Sequence, residues 1–255
     1  MLSRTHRAAW TAVAVPTVLT AGGAGLRRTL TRQVAQADRK VRPLVTTAPP
    51  HREYYGDPAD PPITLALLGD SSAEGVGVHH FDETLGGHLG RALAEHRRYV
   101  RLLLVAVNGA TAAALADQIV QLRPHTPDLA VISIGANDVR ARTAPRIAAA
   151  DLGAAVAQLR VLGAHVVVGT TPDLGIVTAL AQPLRALAGL ASRRLERAQS
   201  EAVSRAGGIA VPVGKLLSPL FVADPLHFAP DGFHPSEAGY RLIASYLLPP
   251  LLSGM

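Results

Sequence analysis

The chain predicts an α/β protein, a three-layer α/β/α sandwich around a central five-stranded parallel sheet. Three observations carry that reading. Five apolar runs of strand length alternate with segments of helical period, as in a sheet built from crossover units. The runs are mostly rich in Val, Ile and Leu rather than alternating, which is the pattern of strands covered on both faces. Proline and glycine stand at the segment boundaries, where helices start and stop.

In order, the strand runs are Ile63–Leu68, Val100–Val107, Leu129–Ile134, His165–Gly169 and Ile209–Val213. Between and after them, helical periodicity covers Leu85–Glu95, Ala112–Leu122, Pro145–Leu162, Pro183–Ala206 and Ser236–Leu248. Pro145 and Pro183 suit first-turn positions, and Gly163 and Gly207 stand where left-handed caps end helices. Right-handed crossovers then place the helices on both faces of one sheet. No internal repeat and no second folded domain is visible.

Of 255 residues, 48% are hydrophobic and 17% charged, enough apolar material for one full core. Without cysteine, the chain has no disulfide framework, thiolate nucleophile or cysteine-type zinc site. Its net charge of +6 is unevenly divided. Residues 1–52 hold nine basic residues and one acid, net +8, so residues 53–255, with sixteen basic and eighteen acidic, carry −2. A slightly acidic body argues against a nucleic-acid partner.

The basic excess brackets nineteen uncharged residues, Ala8 to Leu26, between Arg4/Arg7 and Arg27/Arg28. That is close to the ~20 residues needed to span a bilayer, although Pro16 and several glycines and threonines weaken it. Residues 1–30 are therefore expected to be a signal or membrane-anchor segment, giving an exported or membrane-anchored protein with membrane contact through that segment. The rival is a soluble amphipathic helix packed on a cytoplasmic domain. Residues 31–62, with Pro43, Pro49, Pro50, Pro58, Pro61 and Pro62, read as a Pro-rich linker, and residues 63–255 as the catalytic body.

Function in a parallel sheet collects at the C-terminal strand ends. There stand Gly69-Asp70-Ser71, Asn108-Gly109-Ala110, Gly135-Ala136-Asn137-Asp138 and Gly169-Thr170-Thr171-Pro172-Asp173, with Asp231-Gly232-Phe233-His234-Pro235 beyond the fifth run. A serine nucleophile needs a base in hydrogen-bond reach, a carboxylate to orient that base, and donors for an oxyanion. All three are present. His234 and Asp231, three residues apart in a turn, are able to point the same way, with the second ring nitrogen left for Ser71. Gly109 leaves room for substrate at the backbone, and Asn137 offers an amide donor.

With four blocks in this order, Gly69-Asp70-Ser71, Gly109, Gly135-Ala136-Asn137-Asp138 and Asp231-Gly232-Phe233-His234, the sequence resembles the SGNH/GDSL hydrolase superfamily over about residues 63–248. The resemblance implies a flavodoxin-like SGNH hydrolase fold and a serine esterase, lipase or deacylase. It implies Ser71 as nucleophile, His234 as base and Asp231 as its orienting acid. The oxyanion hole it implies is made of the Ser71 and Gly109 N–H groups and the Asn137 amide. Neither a metal nor an organic cofactor is expected, and the partner is a small-molecule, lipid or glycan ester. An acyltransferase using the same site and a non-catalytic acyl-glycan or lipid binder are the alternatives.

Other polar residues near the motifs read as structural. Asp70 and Asp138 suit backbone-bonding roles, Ser72 points away from Ser71, and His79, His80, His88 and His227 read as surface residues without metal-ligand spacing. Residues 171–182 and 215–230 read as apolar loops beside the site, and from them Leu174, Ile176, Leu220 and Phe221 are expected to line an acyl pocket.

Overall fold

The computed structural model describes residues 21–41 and 48–255. A six-stranded sheet runs in the order β1-β3-β2-β4-β5-β6. Its strands are β1 (Tyr54–Tyr55), β2 (Pro62–Gly69), β3 (Tyr99–Leu104), β4 (Leu129–Ser133), β5 (His165–Gly169) and β6 (Ile209–Val211). The five expected strands are there and mutually parallel, and β1 is a sixth, pairing antiparallel with β3 at the edge. Two residues among prolines are too short to show a period. Tyr55 is fixed by burial instead, its ring filling the space that a side chain at Gly90 would need.

The nine helices among the described residues are α1 (Ala21–Val41), α2 (Ser71–Glu74), α3 (Leu85–Glu95), α4 (Leu115–Gln121), α5 (Ala136–Ala141), α6 (Pro145–Val161), α7 (Leu184–Arg205), α8 (Val213–Ala223) and α9 (Glu237–Leu252). Successive residues of β2 explain the three layers. Leu65 and Leu67 face one core with Leu85, Leu89, Tyr240 and Leu247 of α3 and α9. Ala66 and Leu68 face the other with Ile119, Leu152, Val156 and Leu195 of α4, α6 and α7. A strand buried on both faces has no polar position to spare, hence its unbroken apolar run.

Much of the expected 1–30 segment lies outside the described residues; residues 21–30 open α1. No described helix is long and apolar enough to cross a membrane. The stretch expected as a linker contains the rest of α1, which ends before the first proline at Pro43, as well as β1. The 215–230 loop is corrected too: its first half is α8, and a short 3-10 turn, Pro225–His227, follows.

Since β3 and β4 lie on opposite sides of β2, the chain switches direction across the sheet at β2, where such folds leave a crevice. One buried bond braces this edge: the Tyr240 hydroxyl of α9 donates to the Val76 carbonyl just beyond α2, at 2.6 Å. Tyr240→Phe is expected to lower the unfolding free energy by about 1–3 kcal/mol, because a buried carbonyl loses its donor. Urea denaturation of the two proteins measures it.

Candidate active site

The nucleophile end begins with a steric requirement. Gly69, the last residue of β2, has φ +139°, and a Cβ there would lie 1.9 Å from the Ser133 carbonyl oxygen of β4. The glycine lets the Asp70 N–H reach that oxygen, at 3.1 Å. Asp70 then caps α2 through its Oδ1, which accepts from Ser72 N–H at 3.0 Å, and Ser71 becomes the first helical residue.

Gln118 of α4, fully buried, grips the same peptide: its Oε1 accepts from Gly69 N–H and its Nε2 donates to the Gly69 carbonyl, both at 2.8 Å. The sequence reading passed over Gln118. Its one sequence signal is position, on the inward face shared by Leu115, Ile119 and Leu122.

Toward Ser71 comes the turn before α9. The Ser71 hydroxyl lies 3.0 Å from His234 Nε2, and His234 Nδ1 lies 2.5 Å from Asp231 Oδ2. Asp231 Oδ1 accepts from the Phe233 and His234 N–H groups at 2.8 and 2.9 Å. All three side chains are buried. Burial pushes the Asp231 carboxyl up, but the His234 ring and those N–H groups outweigh it and hold it below the ordinary carboxylate value.

The remaining expected residues gather at the same edge. Asn137, on α5, donates its amide to Asp70 Oδ2 at 3.5 Å. Gly109, with φ +83°, follows β3 in a loop held at both ends: Asp138 Oδ2 accepts from Ala112 N–H at 3.0 Å, and Val107 N–H donates to the Gly69 carbonyl at 3.1 Å. Asp138 and Asp70 thus have the backbone-bonding roles expected of them. The loop after β5 is fixed by Gln199 of α7, another residue the sequence reading passed over, whose Oε1 accepts from both the N–H and the hydroxyl of Thr171.

An apolar cleft starts at Asp70 and Ser72 and runs between the 174–177 segment, α8 and the turn before α9; Leu174, Ile176, Val213, Leu217, Phe221 and Phe228 are among its lining. It takes in three of the four expected lining residues and leaves out Leu220. In a helix, positions 213, 217 and 221 share one face, while Leu220 turns outward and is 37% exposed. Among the described residues no group of three or more His, Asp or Glu side chains is arranged to hold a metal ion.

Comparison with known proteins gives the chain's family and fold. Residues 67–242 match the family described as GDSL-like Lipase/Acylhydrolase. A GDSL-like esterase of Mycobacterium tuberculosis is 41% identical over 238 residues, covering 88% of this chain and 76% of the relative. Among solved structures, TesA aligns with TM-score 0.60 at 22% identity, over 75% of this chain and 99% of that one. A phospholipase A1 from Streptomyces albidoflavus gives 0.55 at 20%, over 77% and 100%. An acetyl-xylooligosaccharide esterase variant from Geobacillus Stearmophilus gives 0.57 at 19%, over 74% and 94%. At these identities the solved structures establish the fold.

Fold and kinship together define an enzyme that hydrolyses esters. The chain belongs to the GDSL-like lipase/acylhydrolase family.

Two carboxyls behind the site generate a pH test. Burial raises Asp70 to about 6, against the pull of the Ser72 N–H and of His234, and raises Asp138 to about 6 likewise. A carboxyl raised in the native state keeps its proton longer folded than unfolded, so its contribution to stability falls as pH rises from the unfolded value through about 6. Asp70→Asn keeps an acceptor for Ser72 and removes the charge. Its stability relative to wild type is expected to improve by on the order of 2–3 kcal/mol from pH 4 to pH 7. Denaturant titrations at several pH values measure that difference.

Proposed function

We propose that the enzyme cleaves carboxylic esters through an acyl-enzyme on Ser71, with His234 as general base and Asp231 as the acid that orients it. The single observation that carries this reading is the continuous line from Ser71 Oγ through His234 to Asp231, at 3.0 and 2.5 Å. Asp231 is held by two backbone N–H groups, so the imidazole keeps Nδ1–H toward the acid and presents Nε2 as acceptor to the serine.

As Ser71 Oγ attacks the ester carbonyl, its proton passes to His234 Nε2, and the carbonyl oxygen takes up negative charge. The donors offered to that charge are the Ser71 and Gly109 N–H groups and the Asn137 amide; the Asp70 carboxylate takes the Ser72 N–H, leaving Ser71's for the substrate. Collapse breaks the ester C–O bond, and His234 returns the proton to the departing alcohol. Water then gives a proton to His234 as its oxygen attacks the acyl-enzyme; collapse breaks the bond to Ser71 Oγ, His234 returns the proton to that oxygen, and the acid leaves.

The acyl side is assigned to the apolar cleft beside Asp70 and Ser72, through Leu174, Ile176, Leu217 and Phe221. Related folds include a phospholipase A1 and an acetyl-xylooligosaccharide esterase. The apolar lining favours the longer acyl chain of a lipid ester over acetate.

A panel of p-nitrophenyl esters from acetate upward, with fluorophosphonate labelling, tests the scheme. Wild type is expected to label and to prefer chains beyond acetate. Ser71→Ala is expected to lose labelling and at least ~10³-fold in kcat, and Asn137→Ala to lose ~10²–10³-fold. An unlabelled wild type would point to a binding module, and a sharp preference for acetate would remove the acyl assignment.

The intact chain is further proposed to work at a membrane surface. The uncharged run to Leu26 leads directly into a helix whose solvent side carries Arg27, Arg28, Arg32, Arg39 and Lys40. Basic residues beside an apolar segment suit anionic headgroups. The intact chain is expected to sediment with phosphatidylglycerol vesicles more than with phosphatidylcholine vesicles, and less in high salt; equal recovery in all the supernatants would count against it.

A further inference from the structure

The 174–184 segment forms one wall of the cleft but has little regular structure of its own, a single 3-10 turn at Leu174–Ile176 before α7 begins. Its start is held by α7, where Leu174 N–H donates to Ser192 Oγ at 3.1 Å; the stretch from Val177 onward lies between two further partners. On its inner side, Ala179 N–H donates to the Gly232 carbonyl at 3.2 Å and the Thr178 hydroxyl to the same oxygen at 3.4 Å, within the turn that carries Asp231 and His234. On its outer side lies α1.

The contact with α1 is specific. Gln33 binds the segment with both ends of its amide: Nε2 donates to the Gln182 carbonyl, and Oε1 accepts from Leu184 N–H at 3.1 Å. One turn on, Ala37 is buried at 3% exposure against Leu174, Val177, Ala179 and Leu180, and Val41 packs on the same cluster. Asp38 of α1 meets Arg140 of α5, the helix that bears Asn137, at 3.9 Å. The spacing 33, 37, 41 is one face of a helix, so α1 seats a single stripe on the cleft wall and leaves its basic residues to solvent.

We propose that α1 is an outer clamp on the acyl cleft and that Gln33 is its positioning residue, holding the 174–184 wall at the distance from α8 that a long acyl chain requires. The inference rests on the reading of the cleft as the acyl site. A side-chain amide carries a donor and an acceptor on separate neighbouring atoms, which matches the free carbonyl and N–H of two neighbouring peptide groups. A loop with few bonds of its own takes its position from such ties. Gln33 touches neither substrate nor the reacting atoms; it acts through the 177–184 stretch, which carries Val177 in the cleft lining.

The test compares the full chain with Gln33→Ala and Gln33→Glu on p-nitrophenyl acetate, butyrate and octanoate. The expected result for both variants is a roughly tenfold fall in kcat/KM on octanoate, carried by KM, with acetate within about twofold, in keeping with the loss of one or two hydrogen bonds. Glutamate cannot donate to Gln182, so it is not expected to rescue. Gln36→Ala, on the solvent side of α1, is expected to leave all three esters unchanged. Amide exchange in 174–184 should quicken in the Gln33 variants, a readout independent of turnover.

No change, or the same loss on every ester, overturns the clamp. Leu217→Trp separates the two readings by filling the cleft itself. If it leaves the chain-length profile of the wild type intact, the acyl-cleft reading fails; if it shortens the profile while the Gln33 variants match wild type, only the clamp fails.

Discussion

The whole site depends on how closely β2 approaches β4 at Gly69. A backbone with φ +139° and a neighbouring carbonyl 1.9 Å from where a Cβ would stand admits glycine alone. From that approach the rest follows. The Asp70 N–H reaches Ser133, the Asp70 carboxylate caps α2, and Ser71 occupies the first helical position. Gln118 fixes the same peptide from the opposite side. The elbow is therefore set by bonds to its backbone, and His234, 163 residues later in the chain, meets a hydroxyl already in position.

Around this elbow, buried polar side chains serve the edge of the sheet. Gln118, Gln199, Asp70 and Asp138 are all 3% exposed or less, and each bonds a loop that leaves a strand. A buried polar group without partners costs roughly 2–7 kcal/mol, so such residues belong in a core only where their bonds are made. For Asp70 and Asp138 part of that cost remains and appears as raised pKa values. What the protein gains is order: the loop carrying Gly109 is tied through Asp138 to α5, the helix that bears Asn137.

How much of this is readable from the chain differs by kind of residue. The five parallel strands are legible because burial fills their centres with Val, Ile, Leu and Ala, and Ser71, Asp231 and His234 because their chemistry is rare in that order. Gln118 and Gln199 are not, since an amide declares nothing until its partners, 49 and 28 residues away, are known. α8 escapes because it is apolar around most of its circumference and contains Pro219, so no contrast in period marks it. Leu220 falls outside the cleft because α8 puts Val213, Leu217 and Phe221 on one face and turns Leu220 to its side.

The two halves of the site are built differently, and the difference bears on how such an enzyme changes substrate. Ser71 and its neighbours rest on strand ends packed too tightly to move without loss of the fold. The cleft wall at 174–184 rests on hydrogen bonds to α7 at its start, to the turn before α9, and to α1 at its end. On the proposed reading, substitutions along α1 reach the cleft wall without touching the Ser71 turn, whereas substitutions at Gly69 or Gln118 disturb that turn itself. Chemistry and selectivity are then separable, because the first is held by close packing and the second by a few replaceable bonds.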